Sequence, residues 1–132
     1  MGADANETGP LNVVYGIAPR FAAVSNLAQA HFTLDGRPYA SIEGFWQGLK
    51  FPDQADRSRL AALHGPDAKQ AGDAAPPAAA FVYEGERIAM GSPAHHALME
   101  RACMAKFSQD AAARAALLAT GTRTLTHVLP QD

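Results

Sequence analysis

The sequence predicts a mainly α-helical (α+β) domain with one or two small β-hairpins. Three observations carry that prediction. The 132 residues are about one domain's worth of chain. Hydrophobic residues make up 48% of it, but 29 residues are Ala, which favours a compact core built by close helix packing. The last third has apolar residues at helical spacing between capping signals, whereas the strand-like runs are short and bracket turn dipeptides.

Taken in order, Met1 to Pro10 is polar and is expected to be a flexible tail, leaving 11–132 as a single domain. Asn12 to Tyr15 is a short β-prone run closed by Gly16. His31 to Leu34 and Pro38 to Ala40 flank Asp35-Gly36, the strongest hairpin signal in the chain. Ser41 can cap a helix from about Ile42 to Phe51, stopped by Pro52. A second helix is expected from Asp53 to His64 and a short one from Asp67 to Ala71. Phe81 to Tyr83 and Arg87 to Met90 flank Glu84-Gly85, a second hairpin. Ser92-Pro93 opens a long helix whose stripe carries Leu98, Ala102 and Ala105, with Met99 and Cys103 beside it. Asp110 caps a last helix bearing Leu117 and Leu118 and ending at Gly121. Leu98, Ala102, Ala105 and Leu118 are expected to be buried.

Composition excludes several classes of function. Charged residues are 18% and the formal net charge is −2, which excludes a strongly basic nucleic-acid module. No apolar run approaches the roughly 18 residues of a membrane span, and the first residues lack the order of a signal peptide. A single cysteine, Cys103, allows no internal disulfide and no thiolate cluster. His95 and His96 are adjacent and point about 100° apart on a helix, so they do not form a metal pair. The expectation is a soluble, cytoplasmic domain with no metal, cofactor or membrane partner.

One helix concentrates chemical groups. Gly44 and Gly48, at i and i+4, remove side chains from a stripe and let a backbone or ligand approach closely. Glu43, Trp46, Gln47 and Lys50 fall at i, i+3, i+4 and i+7, so one face carries a carboxylate, an aromatic plane, an amide and an ammonium. Glu43 and Lys50 are two turns apart, about 10.5 Å, so they can flank one small molecule without pairing directly. The same face also reads as an ordinary amphipathic helix with a solvated Lys. Ser25-Asn26 sits in a loop able to hydrogen-bond a sugar or phosphate, or only its own turn. Gly65-Pro66-Asp67-Ala68-Lys69 feeds a helix start, where N–H groups and a Lys favour an anion.

Together these segments resemble the NADAR (YbiA-like) N-glycosidase family. Ser25-Asn26-Leu27 is similar to its S-N-F/L loop and Phe32 to Gly36 to its F-x-x-D-G hairpin. Ser41 to Lys50 is similar to its T/S-x-E-x-x-Y/F-Q-x-x-K helix. Met99 to Phe107 and Leu117 to Gly121 are similar to its M-x-x-A-x-x-A-K-F and L-L-x-T-G runs. The resemblance spans about residues 14 to 128, in order. It implies a largely helical N-glycosidase fold that cleaves the C–N bond of a ribosylated amine or nucleobase. The implied substrates are a ribosylaminopyrimidine phosphate of riboflavin biosynthesis or ADP-ribose attached to guanine in DNA. It assigns Glu43 and Lys50 as the catalytic pair, with Ser25, Asn26, Trp46, Gln47 and Lys69 lining the substrate pocket.

Two departures accompany it. Gly91-Ser92-Pro93 stands where members carry a Trp, and the family's final W-G-rich segment has no counterpart before Asp132. They keep open a non-catalytic ADP-ribose or nucleotide binder. A partner-binding helical domain, using the Ala-rich stripes as an interface, is a third reading. Oligomeric state is not legible.

Overall fold

The computed structural model describes residues 9–129, so the expected tail lies almost wholly outside the described residues. Its elements run β1 (Leu11–Asn12), a 3₁₀ segment (Pro19–Val24), β2 (Phe32–Leu34), β3 (Arg37–Tyr39), α1 (Ile42–Leu49), α2 (Gln54–Ala61) and α3 (Gly65–Ala71). After a short 3₁₀ turn (Gly72–Ala74) come β4 (Ala80–Tyr83), β5 (Glu86–Ala89), α4 (Pro93–Gln109), α5 (Ala111–Ala119) and β6 (Leu125–Thr126). The strands form three two-stranded pairs, so the fold is mainly α with minor β.

Both hairpins close through two-residue turns. Asp35 and Gly36 take φ of +50° and +82°, and Glu84 and Gly85 take +49° and +79°, the left-handed pair of a type I′ turn. Leu34 pairs with Arg37 and Tyr83 with Glu86 on either side of them. The Asp35 carboxylate then clips three elements together. It accepts from Tyr83 Oη at 2.5 Å and from Arg101 Nη2 of α4 at 2.6 Å. Those bonds, the Tyr83 hydroxyl first, hold its carboxyl below the usual carboxylate range.

Helix α1 is the centre of the molecule and packs on α2, α3 and α4. Ser41 Oγ caps it, accepting from Gly44 N at 2.9 Å while donating to Leu63 O at 2.8 Å. Ile42, Phe45 and Leu49 point inward and are buried. The glycine stripe serves α2: a Cβ at Gly44 would lie 2.5 Å from Leu60 O and 2.9 Å from Leu63 O, and one at Gly48 would lie 3.4 Å from Arg57 Cα. At Gly44 only glycine admits that contact, whereas at Gly48 a Cβ would meet α2 at ordinary van der Waals distance. Next to it runs an aromatic chain. Phe32 and Tyr39 rings lie 5.5 Å apart, Tyr39 and Phe45 5.0 Å edge-to-face, and Phe45 and Tyr83 5.9 Å.

Several boundaries differ from expectation. Helix α1 ends at Leu49 and α2 spans only 54–61, because Pro52 and the turn at Ala62 to His64 take those residues. Helix α3 begins earlier, at Gly65, with Pro66 in the first turn, where its missing N–H costs nothing. Leu98, Ala102 and Ala105 are buried, but Leu118 is 73% exposed. In α5 the inward face is Ala113, Ala116, Leu117 and Thr120, at i, i+3, i+4 and i+7, which turns Leu118 outward. The β-prone run pairs only at Leu11–Asn12, in parallel with β6, a strand the sequence did not announce.

Candidate functional site

The α1 face expected to carry chemistry is half open. Glu43, Trp46 and Lys50 are half-buried, and Gln47 between them is buried. Gln47 Nε2 donates to Glu43 Oε2 at 2.6 Å, which fixes the carboxylate's orientation. The other amide atom, Gln47 Oε1, is buried with no donor among the described residues. It packs where a Cβ of residue 72 would otherwise sit, so Gly72 is the slot that admits it. Lys50 places its Nζ 5.2 Å from the centroid of the Trp46 ring. Trp46 and Lys50, with Gly72, Asp73, Pro76 and Met90, line a cleft of about 530 Å³.

The Ser25–Leu27 loop joins the same region through its backbone. Asn26 O accepts from Glu43 N at 2.9 Å, and Leu27 O accepts from Gly65 N at 2.6 Å. Ser25 is buried and turns its hydroxyl onto Leu27 N at 3.1 Å, which is the local-turn role; Asn26 is exposed. Lys69 is exposed and sits in the last turn of α3, away from the helix-start N–H groups expected to flank it. It does not line the Trp46–Lys50 cleft. Thus Glu43, Trp46, Gln47 and Lys50 share one face, Ser25 and Asn26 abut it, and Lys69 stands apart.

Three residues had no assigned site role. Lys106 of α4 has no exposed surface and donates to Ser25 O at 2.8 Å, so a buried ammonium anchors the loop from below. Burial brings its pKa from the ordinary 10.5 down to about 8. His95 is buried with its ring 4.8 Å from that of Trp46, and its Nδ1 accepts from Gly91 N at 2.9 Å. Burial, with His96 beside it, lowers its pKa. Gly72 completes the set. The sequence signal for Lys106 was its place in the A-K-F run and that for Gly72 its place at the end of the Gly65–Gly72 segment, which resembles the family's run of a Lys before a Gly. Neither gave the contact, and His95 gave no signal, because their partners lie far along the chain. Among the described residues no three His, Cys, Asp or Glu side chains gather as a metal site, and no helix is long and apolar enough to cross a membrane.

Comparison with known proteins agrees with this architecture. A family model described as bacteriophage protein GP30.3 matches residues 20–132. An uncharacterized 17.1 kDa protein from the Gp30-rIII intergenic region of Enterobacteria phage T4 is 32% identical over 108 residues. That match covers 80% of this chain and 71% of the phage protein. The NMR structure of the E. coli protein YbiA superposes with a TM-score of 0.62 at 27% identity, covering 92% of this chain and 67% of that one. The fold is YbiA-like.

Proposed function

From the premise that the chain belongs to the bacteriophage GP30.3 family and has a YbiA-like fold, we propose that it is an N-glycosidase of the NADAR type, acting on a phosphorylated ribosylated amine or nucleobase. The observation that carries this reading is Glu43, a half-buried carboxylate oriented by Gln47 at 2.6 Å and placed on one helix face with Trp46 and Lys50.

Breaking a C–N bond at an anomeric carbon develops positive charge on the ribose as the amine departs. A carboxylate fixed beside that carbon stabilises the charge and takes a proton from the attacking water. Gln47 holds Glu43 in one orientation, so little reorganisation is needed as charge develops. Gln47 Oε1 is sealed against Gly72, so the amide acts by holding Glu43 rather than by touching the substrate. The Trp46 plane gives the base or ribose an apolar wall. Lys50, drawn over that ring as a cation, fits a phosphate. Ser25 and Asn26 contribute the loop that borders Glu43, and Lys69, which stands apart, takes no part.

The test is release of free base or ADP-ribose from ribosylaminopyrimidine phosphate and from ADP-ribosylated DNA. The expected outcome is turnover of one of them by the wild type, reduced about 10²- to 10³-fold by Glu43→Gln with an unchanged far-UV spectrum. Turnover within a few-fold of wild type removes Glu43 from the chemistry. Gly91-Ser92-Pro93, where the resemblance leads one to expect a Trp, favours the second reading, a non-catalytic binder. Saturable ADP-ribose binding without release of any product would establish that reading instead.

A further inference from the structure

Beyond Lys50 the Trp46 cleft continues into a second cavity, a trough of about 420 Å³ between the end of α1 and the outer face of the β4–β5 hairpin. Lys50, Pro76 and Ala78 line both. The floor of the trough is apolar, with Ala80, Val82 and Pro76, and its rim is cationic, with Lys50, Arg57 and Arg87. No acidic side chain lines it. Three of the chain's 11 Lys and Arg residues therefore surround one apolar trough in a protein of net charge −2.

Each cation is placed by a separate feature of the fold. Cross-strand register sets Arg87 directly opposite Val82, so the guanidinium stands over the floor residue on the same face. Val82 is 53% exposed, an apolar side chain that the core does not use. Arg57 is half-buried and locked: its Nε donates to Phe51 O at 2.7 Å and its Nη2 to Leu49 O at 3.4 Å. Carbonyls orient a guanidinium without neutralising it, and among the described residues Arg57 has no carboxylate partner. A partly desolvated, immobilised cation with no counter-charge is stabilised by an anion. The volume is that of a small-ligand pocket, and the apolar floor suits a ring more than a bare ion.

We propose that this trough is a binding subsite for a nucleoside monophosphate unit, with the ring on Ala80, Val82 and Pro76 and the phosphate between Lys50, Arg57 and Arg87. The subsite does not rest on glycosidase activity, because it is defined by binding alone. Its neighbour, the Trp46 cleft, lies close enough that one extended ligand can occupy both.

The probe is AMP, titrated into the full chain and followed by ¹H–¹⁵N correlation spectra, with adenosine and inorganic phosphate as controls. AMP is expected to bind saturably with shifts centred on Lys50, Arg57, Val82 and Arg87, and more weakly as salt is raised. Each control should bind about tenfold more weakly or worse. Arg87 is exposed, so Arg87→Gln is expected to keep the structure and to weaken AMP about tenfold. Glu43→Gln should leave AMP binding unchanged, and chromatography of the recovered AMP reads any turnover separately. Four results would each overturn the subsite: no saturable binding of AMP, inorganic phosphate binding as well as AMP, shifts centred on Trp46 with binding lost in Glu43→Gln, or an Arg87→Gln variant that binds like the wild type.

Discussion

Gln47 is fixed from both ends of its amide, by Glu43 on one side and by the empty space over Gly72 on the other. The backbone of Gly72, at φ −69°, accepts any residue, so the requirement for glycine is steric. Gly72→Ala is expected to displace Gln47 and break its bond to Glu43. It should cost about 1–3 kcal/mol, as overpacking does, and lower any Glu43-dependent activity. Urea unfolding and activity measured on the one variant check this; stability and activity both at wild-type levels would show that Gln47 has room to shift. Lys106 yields a pH signature. Its folded pKa of about 8 lies below the ordinary 10.5, so the unfolded chain binds that proton more tightly and stability must rise with pH between the two values. From pH 8 to 9.5 the gain is roughly 1.5 kcal/mol, and Lys106→Met should abolish the slope. A flat wild-type profile in urea titrations would mean that the ammonium is solvated. At this scale the sequence was half legible. Glu43, Trp46, Gln47 and Lys50 share a face because helical period is local information. Gly72, His95 and Lys106 depend on contacts that no short-range pattern encodes.

Elements were legible where a turn or cap dictates them. Asp35-Gly36 and Glu84-Gly85 set the two hairpins because the dihedral angles of the turn admit few residues. Ser41, Ser92 and Asp110 mark helix starts because each side chain takes an otherwise unpaired N–H. The glycine stripe of α1 announced a close approach, though not that the approaching backbone would be α2. Helix α5 misled because Leu117 and Leu118 are adjacent and only one of two neighbours can face the core. Leu98 and Leu118, both expected to be buried, therefore make an internal control. Leu98→Ala in α4, where the side chain is 4% exposed, should cost about 2–5 kcal/mol, whereas Leu118→Ala at 73% exposure should cost under about 0.5 kcal/mol. Thermal unfolding of the two variants side by side decides this, and equal losses would contradict the orientation of α5.

For the whole molecule, the sequence conveyed fold class but not closure. Two-residue strands carry no period, so β1 was read only as a β-prone run displaced to Asn12–Tyr15, β6 was not read, and the 3₁₀ segment against which α5 packs was equally silent. Yet these pieces join the two ends of the described chain. Leu11 N donates to Thr124 O and Val13 N to Thr126 O, both at 2.8 Å, and Asn12 Nδ2 reaches Val128 O at 2.8 Å. Arg123 Nε adds a bond to Gly9 O at 2.8 Å. Thr126 and Leu11, which also share a hydrogen bond, lie 115 positions apart. Bringing such distant points together costs about 4 kcal/mol of loop entropy, against a handful of half-exposed hydrogen bonds. Held by so few bonds, the clasp is expected to open before the packed core. In native-state hydrogen exchange the amides of Leu11 and Val13 should exchange well before those of buried α4 residues such as Ala102, through an opening that leaves the core intact. Equal, slow exchange at both places would mean that the clasp unfolds only with the whole. An early-opening clasp means that the two ends of the described chain can part while the packing of α4 on β2 and α1, itself made between segments far apart in sequence, stays closed.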